Sequence, residues 1–548
     1  MKEFDFEKIP IVEIANEILL DGVKKGASDI HFDPGKDDLK IRMRVDGTLY
    51  DYTIVPGEYK RNMVSRIKMI ASMNIMETRL PQDGAIKSKI GDKMLDLRVS
   101  SLPTNCGEKV VLRILDFSRS SQGLETLGFS EVNLQKILRM IEMPNGIVLV
   151  TGATGSGKST TVYSILSRLN TSEVNIITVE DPVEMDVAGI NQVQAQHEIG
   201  LDFATVLKSI LRQDPDIIMI GEIRDGETAK IAVRASITGH KVLSTIHTNS
   251  ALNTIERLTD MDVERYLIST SLNGCISQKL ARKMCPYCRV QRETSDYEKK
   301  LINLTLGIDV DKIYDINPKG CEHCMHGYKG RICVAEVLLI SDEVRTAITN
   351  NDPKEELRRK VYGHSDTHTL LQDGMEKVVL GETNFEEILK LVDLENDIAI
   401  HEDLNAQGIA QKPFDLEAAL ARQKEKQQEA EAKAAAAQQA AVQQPVAQPT
   451  AEPAPTQVAA QPTVQPAPTQ VTAQPAVQQP VAQPVQTQPV QQPTPTVQPQ
   501  PVQQPQPAEI VIPTQDAVQV QNVNQVLTPP AEQTNQVVPS MVAAQQIQ

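Results

Sequence analysis

Residues Gly146-Ile-Val-Leu-Val-Thr151 run directly into Gly152-Ala-Thr-Gly-Ser-Gly-Lys-Ser159, and Thr160-Thr-Val-Tyr-Ser-Ile-Leu166 follows. An apolar strand, a loop of the form G-x-x-x-x-G-K-[ST] and a helix-compatible stretch, in that order, leave few folds open. Glycines let consecutive backbone N–H groups point inward, and the helix start adds its positive end. Such a loop binds the phosphates of a nucleoside triphosphate. The candidate ligands are Gly152, Ala153, Thr154, Gly155, Ser156, Gly157, Lys158, Ser159 and Thr160. Lys158 would reach the β- and γ-phosphates, and the Ser159 hydroxyl would sit on Mg²⁺. A glycine turn before a structural helix would not need the strand, the lysine and the hydroxyl together.

Around that loop, residues 130–280 alternate helix and strand patterns as a parallel sheet with crossover helices does. Strand candidates are Ile147–Val150, Ile176–Val179, Ile217–Ile220 and Lys241–Thr245. Upstream, residues 1–120 predict a compact α+β domain. Ile11–Leu20 has helical apolar spacing, Leu39–Val45 alternates as a half-buried strand should, and Asp46-Gly47 supplies a turn. Leu95–Ser100 and Lys109–Leu115 read as further strands, and Ser118–Thr126 is polar enough for a linker. Downstream, helical patterns run to Val392, and Asp415–Ala441, rich in Ala, Gln, Glu and Lys, predicts a solvated helix. From Ala441 the chain is almost all Pro, Gln, Val, Ala and Thr, without Lys or Arg. That composition cannot bury enough apolar surface to offset chain entropy, so a disordered tail with polyproline II stretches is expected.

Charge and hydropathy narrow the classes open to the chain, although acidity does not by itself exclude nucleic-acid binding. The formal net charge is −16, four of those charges lie in the tail, and no basic footprint for nucleic acid is evident. No apolar run approaches the ~20 residues of a membrane span. Met1–Glu7 lacks the apolar core of a signal peptide. A cytosolic protein is expected, with cysteines serving as thiols or metal ligands rather than disulfides.

A phosphate loop needs carboxylates for metal and water. Ile217-Ile-Met-Ile-Gly-Glu222 is a buried-strand pattern ending in a carboxylate, with Gly221 where many ATPases have Asp. Ile176-Ile-Thr-Val-Glu-Asp-Pro-Val-Glu184 ends a second apolar strand in Glu180, Asp181 and Glu184. Ligands of open α/β sheets bind beyond the carboxyl ends of the strands, so both sets can face one nucleotide. His240 and His247 flank another short strand. Lone histidines are mostly structural, but beside such a site a phosphate sensor or water-orienting role is the better reading.

Cys285-Pro-Tyr-Cys288 and Cys321-Glu-His-Cys324 form two CxxC hooks. In a cytosolic chain, Cys285, Cys288, Cys321 and Cys324 read as a closed four-thiolate Zn²⁺ site. A redox dithiol is the alternative, although it needs only one hook. The long intervening segment weakens the spacing argument, and His323 and His326 are close enough to compete as ligands. Cys106, Cys275 and Cys333 lack such pairing and read as buried thiols.

From about residue 10 to residue 395 the chain resembles the secretion ATPases of type II secretion and type IV pilus systems, in the pilus-assembly (extension) group. The resemblance rests on motifs in fixed order: Ala27–Phe32, Arg79–Gly84, Arg98–Thr104 and Gly107–Arg113. The Walker A loop follows, then an Asp box at Val179–Glu184, a Walker B at Asp216–Asp225 and a His box at Thr238–Asn249. It implies a homohexameric ring, with ATP and Mg²⁺ between N-terminal and RecA-like domains and with Arg98 and Arg113 reaching the phosphates. Arg212 and Arg224 fall on further arginine positions, where plain salt bridging is an equal reading. Glu180 is assigned to the attacking water, Glu222 to Mg²⁺ and His247 to the γ-phosphate, with the acids' roles open to exchange. Tetracysteine inserts occur in the assembly and type II members and are generally lacking in retraction ATPases. Two departures stand out. The chain begins almost at the core, where many assembly ATPases carry a further N-terminal domain, and the Pro/Gln tail reads as a flexible spacer.

The expected architecture is therefore α/β. Its parts are an α+β, PAS-like domain (1–120), a RecA-like P-loop core (121–282), a tetracysteine zinc segment (283–335), a helical C-terminal part (336–400), a helical linker (401–440) and the tail (441–548). The expected function is ATP hydrolysis driving assembly of pilin or pseudopilin subunits through an integral inner-membrane platform protein. The motor would work from the cytoplasmic face, without direct nucleic-acid contact. A type II secretion or competence pseudopilus motor is the alternative, ahead of a retraction ATPase or a DNA translocase.

Overall fold

The computed structural model describes residues 1–90, 93–115, 123–364, 367–409 and 413–442. The expected disordered tail from residue 443 onward, and residues 116–122 of the expected linker, lie outside the described residues.

Alternating side chains build the first layer. Strand β2 (Asp38–Val45) buries Leu39, Ile41, Met43 and Val45 and turns the residues between them outward. It joins β1 (Ala27–Pro34), β3 (Thr48–Pro56), β4 (Gln82–Ile90), β5 (Lys93–Thr104) and β6 (Gly107–Leu115) in one antiparallel six-stranded sheet of order β3-β2-β1-β6-β5-β4. Asp46 and Gly47, both at positive φ, make the tight β2–β3 turn, whose twist matches its strands. Helices Ile11–Lys24 and Gly57–Ile70 bury Ile14, Ile18, Met63 and Ile67 in the core of this domain.

The second layer follows the opposite pattern. Strands β7 (Gly146–Thr151), β8 (Ile176–Glu180), β10 (Ile217–Ile220) and β11 (Lys241–Ile246) are buried at every position. That is the signature of parallel strands covered on both faces. With β9 (Asn191–Gln194), β12 (Leu272–Met284) and β15 (Tyr328–Leu339) they form a seven-stranded sheet of order β15-β12-β7-β11-β10-β8-β9. Only β15 runs antiparallel, along β12. Between β12 and β15 the cysteine segment carries its own ribbon, β13 (Val290–Glu293) with β14 (Lys312–Asp315), and helix Asp296–Leu306. The core sheet thus draws a strand from beyond the hooks.

The helix expected to be solvated near residue 415 does form, as Leu416–Val442, but its start is docked. Phe414 and Leu416 pack on the apolar cluster of Leu301, Leu371 and Phe385, and Gln423 donates to Glu382 at 3.0 Å. Among the described residues, no helix is long and apolar enough to cross a membrane.

One buried acid sets a pH dependence. Glu336 on β15 is 3% exposed and accepts from the Ala251 N–H at 2.7 Å. Burial pushes its carboxyl up to about 7, and burial likewise lifts Asp397 to about 6. In the unfolded chain both ionise near pH 4. The folded protein holds these protons longer, so their contribution is fully present at low pH and is lost as pH rises toward 7. Glu336→Gln is expected to gain on wild type by about 2 kcal/mol between pH ~5.5 and ~8. Denaturant titrations at the two pH values check this, and a constant difference would mean that Glu336 is already ionised in the folded protein at the lower pH.

Candidate functional site

The phosphate loop sits where β7 ends. Gly152 (φ 141°) passes so close to β12 that a Cβ there would lie 2.4 Å from the Gln278 carbonyl oxygen. Gly155 has φ 81° in open space, so there the backbone conformation itself selects glycine. The loop ends at the start of helix Lys158–Leu169, whose first N–H groups have no intrahelical acceptor. Lys158 Nζ folds over the loop onto the carbonyls of Gly152 (2.9 Å) and Ala153 (3.2 Å). Burial lowers its pKa, and Glu222 works against that. Ser156 Oγ is buried without a hydrogen-bond partner among the described residues. The N–H groups of a helix start, a partly desolvated ammonium and an unpaired hydroxyl fit a polyphosphate.

The cleft over the loop holds about 650 Å³ and is lined by Arg113, Lys158, Ser159, Glu180, Glu222, Arg224 and His247, among others. That size suits a small-molecule ligand. Strand register explains the gathering. Ile220 lies beside Val179, and Ile246 beside Thr151, so the next residues, Gly221 with Glu180 and His247 with Gly152, emerge together at the carboxyl edge. Gly221 lets the two strand ends lie close, since a Cβ would stand 3.3 Å from the Glu180 Cα.

The two principal acids differ in surroundings. Glu180 is 4% exposed and held on both oxygens: Thr178 Oγ1 (2.6 Å) and Gln192 Nε2 (3.1 Å) donate to one, and the Tyr163 hydroxyl donates to the other. Glu222 lies nearer the opening, paired with Arg224 and 3.2 Å from His247 Nε2. His240 is at the far, amino end of β11, where Nδ1 meets the Ala235 carbonyl at 3.0 Å, so the strand separates the two histidines.

The arginines divide similarly. Arg113 reaches the cleft from the first domain, steadied by Asp29 at 3.1 Å. Arg98 crosses to the Asp box, donating to the Val183 carbonyl at 3.2 Å and pairing with Glu184 at 3.5 Å. Arg212 instead bonds its own helix at the Lys208 carbonyl, 2.7 Å away. Sequence reasoning missed Tyr163, Thr178 and Gln192. Tyr163 carried a faint signal as a polar-tipped residue inside an otherwise apolar helix face.

The hooks converge. The sulfurs of Cys285, Cys288, Cys321 and Cys324 lie within 4.8 Å of one another, with Cys285–Cys321 at 3.8 Å and Cys288–Cys324 at 3.7 Å. A tetrahedron with metal–sulfur bonds of about 2.3 Å has edges near 3.8 Å, so the set fits zinc. Neither histidine competes: His323 packs on Tyr287 and His326 on Tyr50. Cys275 and Cys333 are buried as expected, but Cys106 is only half-buried, because its turn between β5 and β6 projects to the surface.

A family model described as "Type II/IV secretion system protein" matches residues 5–390. The chain belongs to that family. The type II secretion system protein E of Dickeya dadantii (strain 3937) is 46% identical over 383 residues, covering 70% of this chain and 76% of that protein. The type IV pilus assembly ATPase PilB of Myxococcus xanthus (strain DK1622) is 46% identical over 385 residues, covering 69% and 67%. The fold is also that of the Legionella pneumophila ATPase DotB, with a TM-score of 0.52 at 22% identity over 71% of this chain and 98% of that one. As a member of this family the protein is an ATPase.

Tyr163→Phe removes one of the donors to Glu180 while keeping the ring. It is expected to lower ATP turnover ~10-fold with ATP affinity within about twofold. Steady-state kinetics alongside nucleotide titration check it, and unchanged turnover would make the Tyr163 contact purely structural.

Proposed function

We propose that this ATPase is a homohexameric motor that drives assembly of pilin or pseudopilin subunits through an integral platform protein at the inner face of the membrane. The observation that carries the reading is one cleft in which the phosphate loop, two strand-end acids and an arginine from the first domain converge. A site built from both domains couples nucleotide state to domain position, which a motor requires. Lys158 and Ser159 would hold the phosphates and Mg²⁺, which neutralise charge developing on the transferred phosphoryl group. Arg113 would add a fixed cationic fork, with Arg98 reinforcing the Asp box.

For the acids, the hydrogen bonding favours exchanging the roles assigned from sequence. Glu180 has both oxygens engaged by donors, whereas Glu222 faces the cleft with His247 beside it. Glu222 would orient water and His247 would hold Glu222 and read the phosphate. Glu222→Gln is expected to cut turnover by ~10³ while ATP still binds, and Glu180→Gln is expected to weaken metal-dependent nucleotide binding as well. Single-turnover hydrolysis with binding isotherms separates the two; a reversed pattern returns water to Glu180.

The decisive cellular test is electron microscopy of the cell surface with Lys158→Ala on the chromosome. Loss of filaments is expected. Longer or more numerous filaments would mean retraction. Unchanged filaments would favour the second reading, a type II secretion motor, which the equal 46% identity to a protein E keeps in view. The four thiols would hold one Zn²⁺ per chain, and elemental analysis of protein never exposed to chelator should return that ratio. Less than one would argue for free thiols.

A further inference from the structure

The lobe built on the cysteines does not stand apart from the nucleotide site. Directly after Cys324, Met325 and Tyr328 pair through two 3.0 Å hydrogen bonds around His326 and Gly327. Both turn residues have positive φ (50° and 85°), which makes a tight primed turn. The Gly327 carbonyl accepts from the Cys285 N–H at 2.8 Å, so the turn is tied to both hooks.

Its tip leaves the lobe and enters the first domain. Met325 packs against that domain's core, and the His326 ring stacks on Tyr50 of β3, centroids 5.4 Å apart and 21° from parallel. The neighbouring β2–β3 turn is gripped as well. Asp46 accepts from the Gly330 N–H at 2.7 Å, and Thr48 accepts from Arg282 at 3.4 Å. Arg282 is itself fixed by Glu387 at 2.6 Å and by the Tyr328 ring at 4.0 Å. The first domain therefore touches the second at both sides of one sheet: β3 grips the cysteine lobe, while β5 and β6 carry Arg98 and Arg113 to the acids and the cleft.

We propose that the four-cysteine lobe is a clamp that positions the first domain over the nucleotide, with Met325, His326, Tyr50 and Asp46 as positioning residues for Arg113. Two anchors on one hydrogen-bonded sheet fix its orientation, and the Met325–His326 turn extends to β3 the grip that Gly330 of β15 and Arg282 of β12 give the β2–β3 turn. The proposal rests on the nucleotide reading of the cleft and on the hooks holding zinc.

The test is a double-mutant cycle between His326 in the turn and Arg113 on β6. His326→Asn keeps a left-handed-tolerant residue in the turn and removes the ring, and Tyr50→Ala removes the same contact from the other side. Either variant is expected to lower kcat/KM for ATP ~10-fold with zinc content and thermal midpoint retained. Arg113→Ala should cost its full effect in the wild type but less than about twofold more in the His326→Asn background. Labels introduced as unnatural amino acids at the exposed Lys87 and Glu173 report the interdomain distance. That distance distribution should broaden in His326→Asn and after zinc is chelated. Additive effects together with an unchanged distribution would overturn the clamp. An Arg113→Ala variant with full turnover would strike at the cleft reading instead, and the distance distribution would then decide the clamp alone. Protein purified without metal would remove the zinc reading, and the His326→Asn comparison would still decide the contact.

Discussion

The structure depends on four parallel strands, β7, β8, β10 and β11, being buried along their whole length. Such a sheet has no solvated face, so polar chemistry can collect only at a strand end. Register then decides what meets. Because Val179 lies beside Ile220 and Thr151 beside Ile246, the acids, the histidine and the phosphate loop emerge at one edge. The same geometry sends His240 to the opposite edge, only seven positions earlier in sequence. A shift of one strand by a single residue would scatter the set, and the apolar packing of residues such as Ile177, Ile218 and Val242 prevents it. Truncating such a side chain costs roughly 2–5 kcal/mol, so the register that builds the site is held by the core rather than by the site itself.

How much of this was legible in the chain follows from which forces act locally. Apolar runs, interrupted only by Thr178 in β8 and by Ser244 and Thr245 in β11, marked β7, β8, β10 and β11, and the loop announced its own conformation through Gly152 and Gly155. β12 and β15 were not marked, because Gln278, Lys279, Arg282 and Arg331 interrupt their apolar pattern and find partners only in the folded protein. β4 likewise carries too many charges to read as a strand until β5 covers it. At the site, residue types predicted the phosphate loop and the acids. They did not reveal that Tyr163 ties off Glu180, because that bond exists only once helix Lys158–Leu169 lies against β8.

This difference between the acids changes the chemistry expected of them. A carboxylate whose oxygens already accept from a phenol, a threonine and an amide is oriented but has little capacity left for a moving water. Glu222, by contrast, has partners that can themselves shift: Arg224 also reaches toward Asp181 at 3.9 Å, and His247 is half-exposed.

The cysteine lobe poses the complementary problem of a segment too small for its own core. Its ribbon β13–β14 is a single hairpin-like pair, marginal in water without further support. Helix Asp296–Leu306 supplies part of that support by sharing an apolar cluster with the helices after β15. The rest falls to the sulfurs. Held within 4.8 Å of one another, the four sulfurs would pin the two hooks together once they hold a divalent cation as thiolates. Fixing the lobe internally is what lets Met325 and His326 project from it as a stiff turn. A limp loop at the same place would still touch Tyr50, but it could not carry the domain's orientation to Arg113.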